Sequence, residues 1–237
     1  MIGVLALTSC IVRVGKWNSK IIAASDNIVT KEYRLTAFEE VAMQCVGDVE
    51  LIQSDTIDGL VALTAPDNYV ELYQFESKAG KLDISFSKHD INIDSEHVKI
   101  KVYTTSLTRL QNSGEASISM DSLRTDHLKV ANSGVGSFSL RKMMAGNVTL
   151  SCSGVGSISM SGQCENADMS CSGVGSINAE DLKSQNTKAH VSGVGSISCY
   201  ASEYLDGKVT GVGSLKYAGN PKSVDKNNPA TGSITAI

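Results

Sequence analysis

The 237-residue chain is 41% hydrophobic and 19% charged, with 21 Gly, 3 Pro, a formal net charge of −4 and a pI near 5.6. That hydrophobic share excludes a disordered chain, the absence of a glycine triplet period excludes collagen, and the acidic balance argues against a nucleic-acid partner. No apolar run approaches the ~20 residues of a membrane-spanning helix, and the length suffices for one large domain or two small ones.

Residues 1–10 read as an address. Met1 to Ser9 is apolar and small, and Leu7-Thr8-Ser9-Cys10 resembles a bacterial lipobox, in which cleavage before the cysteine frees a thiol for lipid attachment. No Lys or Arg precedes this stretch, which a start codon placed too far downstream would explain. The expectation is an exported protein, periplasmic or at the cell surface. Its membrane contact is only a lipid on Cys10, anchored in the outer membrane. The competing reading is a short buried strand with a chance cysteine. Residues 11–27 are expected to be linker. Cys45, Cys152, Cys164, Cys171 and Cys199 form no C-x-x-C pair and are odd in number, so buried free thiols are expected instead of a metal site or a full disulfide framework.

Residues 28–109 are expected to form an amino-terminal β cap merging into early coils. Val41 to Gln53 reads as two strands around a Gly47-Asp48 turn, and Pro66-Asp67-Asn68 is a second turn signal. Val70–Phe75, Lys81–Phe86 and Val98–Tyr103 alternate apolar and polar residues strictly and are rich in β-branched and aromatic types.

From residue 110 an internal repeat takes over. Asn112-SGEASIS, Asn132-SGVGSFS, Cys152-SGVGSIS, Cys171-SGVGSIN, Val191-SGVGSIS and Val209-TGVGSLK align without gaps. Their first glycines, Gly114, Gly134, Gly154, Gly173, Gly193 and Gly211, are 20, 20, 19, 20 and 18 residues apart, and Thr231-Gly-Ser-Ile234 is a last echo. Apolar residues alternate with Ser, Thr or Asn within each unit, which is the period of a half-buried strand; a helix would lose ~1 kcal/mol at each glycine. The architecture predicted is all-β: a right-handed, single-stranded β-helix, or β-solenoid, with coils of 19–20 residues stacked ~4.8 Å apart. Gly134, Gly136, Gly154, Gly156, Gly173, Gly175, Gly193, Gly195, Gly211 and Gly213 are the expected corners, chosen for backbone freedom.

Stacking turns equivalent residues into columns. Asn112 and Asn132 share one column with Cys152, Cys171, Val191 and Val209, and Asn147, Asn166 and Asn186 share another. These asparagines are either amide ladders or polar turn residues. Cys152 and Cys171 fall one coil apart, within reach of a disulfide, but parallel side chains favour free thiols.

The order of motifs carries a resemblance. Phe38-Glu-Glu-Val41, Gly47-Asp-Val-Glu-Leu51, Gly80-Lys-Leu-Asp-Ile84 and Val98-Lys-Ile100, followed by the Ser-Gly-x-Gly-Ser-Ile units, resemble the auto-transporter adhesin "head GIN domain" family, a former domain of unknown function of Bacteroidetes, over residues 28–235. The resemblance implies a right-handed β-helix on an exported lipoprotein and brings no catalytic residues with it.

No enzymatic constellation appears. Between Ala131 and Ala179 the charged residues are Arg141, Lys142, Glu165 and Asp168; no carboxylate pair recurs in register, no calcium nonapeptide is present, and His89, His97, His127 and His190 are scattered. No cofactor or metal is implied. A binding face is sketched by the outward serines Ser137, Ser157, Ser176 and Ser196 with Tyr200 and Tyr204, although serine is also what any tight, soluble coil tolerates. The reading is a non-enzymatic, exported lipoprotein presenting a face to a glycan or protein surface. A scaffold or self-assembling spacer, forming homo-oligomers, is the alternative, and a polysaccharide-active β-helix enzyme ranks third.

Overall fold

The computed structural model describes residues 21–88, 91–228 and 231–237. The Cys10 expectation and His89 lie outside the described residues. Over the described residues the chain winds as a β-solenoid of about six turns, its strands joined there into one 19-stranded sheet.

One coil shows the logic. Residues 135–140 form a first side, 143–145 a short second side and 147–152 a third, all within one assigned strand, Val135–Cys152. Every side pairs in parallel with its equivalent in the next coil: Ser137 with Ser157, Met144 with Gln163, Asn147 with Asn166, Cys152 with Cys171. The same register then runs Ser157, Ser176, Ser196 and Ser214 along the axis. The repeat alignment read from the sequence is therefore the hydrogen-bonding register itself. Thr231-Gly-Ser-Ile234 belongs to it, because Ser214 and Leu215 pair with Ser233 and Ile234.

The alternation sorts the side chains. Phe138, Leu140, Leu150, Ile158, Met169, Ile177, Leu182, Ile197 and Leu215 are buried in one continuous core. Burial of each such side chain stabilises the coil by about 1.5–3 kcal/mol relative to exposure. Because that core is a column, each coil depends on its two neighbours, and the ends need covers. At the amino-terminal end the cover is antiparallel: Leu60–Pro66 closes the stack of first sides through Lys99–Thr104, and Tyr73–Lys78 closes the stack of third sides through Lys81–Phe86. Ile28–Arg34 lies outside Leu60–Pro66, and Tyr33, Phe75, Tyr73 and Phe86 stack as an aromatic plug.

Three local expectations fail. Gly47-Asp48 is not a turn: both residues lie within the strand Val46–Gln53, and Gly47 pairs with Ala116 in the column that continues to Gly136. Val70 to Leu72 is not strand but the end of a 3-10 helix, Asp67–Leu72, with Tyr69 buried and its hydroxyl donating to Ile22 O at 2.6 Å. The third concerns the repeat glycines. Positive φ within the Gly-x-Gly pairs occurs only at Gly136 (140°) and Gly156 (139°). The others are required by closeness, since a Cβ on Gly154 or Gly173 would overlap the carbonyl oxygen of Gly134 or Gly154 in the preceding coil. Lack of a side chain, more than freedom of φ, is what the stacked corner demands.

Candidate functional site

The three sides expose different chemistry. The first carries the serine columns, with Ser137 and Ser159 exposed and Ser157, Ser176 and Ser196 half-buried. The third carries the asparagine column. Asn166 Nδ2 donates to Asn147 Oδ1 at 3.0 Å, Asn186 Nδ2 donates to Asn166 Oδ1 at 3.0 Å, and Asn147 Nδ2 meets His127 Nδ1 at 3.2 Å. Of the two readings open for these asparagines, the amide ladder is the one realised, and Tyr204 extends it as the in-register partner of Asn186.

The second side is recessed. A kink precedes it, where the register shifts between Leu140 and Met143 and Lys142 takes φ 50°. Its floor column holds small residues, Ala145, Cys164 and Ser184, so a groove of about 580 Å³ runs along the axis. Arg124, Met144, Gln163 and Lys183 form one wall, each the ladder partner of the next. Asp126, Glu165 and Gln185 line the groove as well, so its cations are balanced by carboxylates.

Tyr200 closes this groove. It is the last residue of the strand Val194–Tyr200, and Lys183 Nζ lies 4.3 Å from its ring centroid, a cation–π contact. Two buried hydroxyls fix its backbone: Ser184 Oγ and Thr187 Oγ1, 2.7 Å apart, both donate to Tyr200 O, the latter at 2.7 Å. At the opposite end Gln53 clamps Arg124, accepting from its N–H at 2.9 Å and donating to its carbonyl at 3.0 Å. Lys183 Nζ also donates to Glu180 O at 3.1 Å. Both ends of the groove are thus set by hydrogen-bonded backbone.

The sequence-predicted face is divided by this geometry. Ser137, Ser157, Ser176 and Ser196 stand in one column, and Tyr200 ends the same side but turns its ring to the groove. Tyr204 starts the strand Tyr204–Val209 on the third side, where its hydroxyl donates to Asp225 Oδ2 at 2.7 Å, which raises its pKa. It lines a separate depression of about 310 Å³ beside the asparagine ladder. Sequence reasoning missed Arg124, Gln163 and Lys183, although the 19–20-residue spacing that aligns the glycines also aligns these three. Among the described residues, no group of three or more His, Cys, Asp or Glu side chains is arranged to hold a metal ion.

The arrangement is that of a repeat-built, surface-presenting β-solenoid. Residues 37–221 match the family described as "Putative auto-transporter adhesin, head GIN domain", and the chain belongs to that family. Among solved structures, a "putative adhesin" from Bacteroides fragilis NCTC 9343 superposes with a TM-score of 0.87 at 28% identity, covering 91% of this chain and 100% of that one. A "putative lipid binding protein" and a "putative adhesin" from Parabacteroides distasonis ATCC 8503 share the fold, each with a TM-score of 0.73, at 22% and 20% identity, each covering 92% of this chain and 100% of the other. No curated protein matches the chain significantly. The family and the Bacteroides fragilis structure, at 28% identity, are both described as adhesins.

Proposed function

We propose that this chain is the binding module of an exported, non-enzymatic surface protein, anchored in the outer membrane by a lipid on Cys10, and that the groove between Arg124 and Tyr200 holds an extended glycan. One observation carries the reading: an aromatic platform, Tyr200, has its backbone carbonyl held by two buried hydroxyls beside a row, Arg124, Met144, Gln163 and Lys183, that is polar at all but one of its coil steps. A row at ~4.8 Å intervals suits a polymer lying along the axis, with amide and charged groups meeting hydroxyls and the ring supporting an apolar sugar face. The balanced charge of the groove favours a neutral or zwitterionic chain over a polyanion.

The test is a glycan array probed with the chain and with Tyr200→Ala. Saturable binding to an oligosaccharide, weakened at least about tenfold by the substitution, is expected for a locked aromatic anchor. A blank array, or binding indifferent to Tyr200, would remove this assignment. Metabolic labelling with a radioactive fatty acid checks the anchor: label should follow the chain and vanish in Cys10→Ser.

A further inference from the structure

One surface is unused by the groove. Val135, Val155, Val174, Val194 and Val212 are ladder partners in five successive coils, and each is 49–65% exposed. Valine suits a strand, but an unbroken exposed row of five is an apolar spine about 20 Å long at the coil spacing. The serine columns beside it add no charge. On the first side, residues 135–140, 155–160, 174–178 and 194–199 contain no Asp, Glu, Lys, Arg or His.

We propose that this spine and its flanking serines are the contact face of a homodimer whose two solenoids lie side by side, antiparallel. Three observations select a second copy as the occupant. First, the area is adequate. Six coils of six residues give a footprint of about 20 by 29 Å, which is about 600 Å² from each copy and about 1,200 Å² in all, just above the ~1,000 Å² a specific interface needs. Second, the face matches itself, because an identical repeat presents ridges at the same interval, as an isologous contact requires. Third, charge bounds the face and sets its direction. Glu115 interrupts the valine column between Val135 and the half-buried Val46, ending the exposed run toward the amino terminus, and Lys216 replaces serine at its carboxyl-terminal end; both are exposed. Antiparallel copies bring each Glu115 end against a Lys216 end, whereas parallel copies oppose like with like. The groove, on another side of the coil, stays open in such a dimer.

Sedimentation velocity on the full chain carrying Cys10→Ser, so that no lipid drives association, tests this. A reversible monomer–dimer equilibrium is expected. Val174→Lys should weaken it at least about tenfold with an unchanged β spectrum, as for a central apolar contact. Glu115→Lys should weaken it too, and Glu115→Lys with Lys216→Glu should restore it at low salt. A chain monomeric at every concentration, or a dimer indifferent to Val174→Lys, overturns the interface. Failure of the charge exchange to rescue overturns the antiparallel arrangement. A monomer in which Val174→Lys instead abolishes binding to phospholipid vesicles assigns the face to a membrane and likewise overturns the dimer. None of these readouts depends on the glycan, so the groove assignment stands or falls separately.

Discussion

Asn112 Nδ2 donates to Asn132 Oδ1 at 3.0 Å across one coil step, and both residues are fully buried. The pair also locks the corner that follows it. Asn112 Oδ1 accepts from Gly114 N–H at 3.1 Å, and Asn132 Nδ2 donates to Gly136 O at 3.2 Å. Further along the column the thiols of Cys152 and Cys171 point at the equivalent carbonyls, Gly156 O at 3.8 Å and Gly175 O at 3.5 Å. Where the column becomes Val191 and Val209, the inward side chain has no polar atom to satisfy.

This ladder gives a double-mutant test. Asn132→Ala leaves the Asn112 amide short of an acceptor in the core, a loss of about 1–3 kcal/mol. Asn112→Val together with Asn132→Val copies the later coils and removes both partners. Urea unfolding should show the double variant losing clearly less than the sum of the single ones. Additive losses would mean that the amides act independently.

The corner glycines separate two causes of intolerance. Gly80 takes φ 77° with nothing near the place of a Cβ, while Gly154 has an ordinary φ but a Cβ there would strike Gly134. Gly80→Ala should cost about 1 kcal/mol, the ordinary strain of alanine at positive φ. Gly154→Ala must push two coils apart and should cost about 3 kcal/mol or more, as overpacking of backbone does. Thermal unfolding compares them directly; equal losses would show that backbone freedom, after all, rules the corners.

How the sequence reveals this fold depends on what repeats. The Ser-Gly-x-Gly-Ser unit discloses strand, register and column together, because one coil predicts the next and a slip would turn Phe138 or Ile158 outward. The antiparallel cap obeys no such repetition: Val70 to Leu72 alternates like a strand, yet between Pro66 and Tyr73 the chain must pass from the first-side cap to the third-side cap, and a 3-10 turn makes that corner. The groove was hidden for a different reason. Its wall of Arg124, Met144, Gln163 and Lys183 repeats in position but not in residue type, so only the register exposes it. The valine spine was legible in the five units after the first, but alternation alone does not say that valine beside two glycines faces solvent.

The buried thiols predict a loss of stability in alkali. Burial pushes Cys45 and Cys199 up to about 12 from an ordinary value of 9.0, and both are free. Their folded pKa is raised, so the stabilisation is complete below pH 9, where both states hold the proton. It is lost as the pH rises toward about 12, where the unfolded thiols ionise and the folded ones do not. Each pH unit in that window removes about 1.4 kcal/mol per thiol. Urea midpoints should therefore be level below pH 9 and fall steeply above it. Cys45→Ala with Cys199→Ala should flatten the fall, at the expense of a lower plateau from the cavities. An unchanged slope in that variant would place the alkaline sensitivity elsewhere, with the buried Tyr73, whose pKa burial also raises, the next to replace.

Positioning of Tyr200 and its chemistry can be separated by two substitutions. Tyr200→Phe keeps the ring and its backbone bonds, so the fold and the cation–π contact with Lys183 should survive, with glycan binding reduced only by the hydroxyl's share. Thr187→Val removes one of the two donors to Tyr200 O without changing volume much, leaving Ser184 as the single anchor. That change should destabilise the chain by about 1–2 kcal/mol, the usual cost of a lost buried hydrogen bond. If the lock matters, it should also weaken glycan binding more than Tyr200→Phe does, although Thr187 is buried and touches no ligand. Isothermal titration of both variants with the same oligosaccharide decides the matter. Binding lowered by Tyr200→Phe but untouched by Thr187→Val would mean that the ring finds its place without the lock, and that the groove is shaped by its ligand instead of in advance of it.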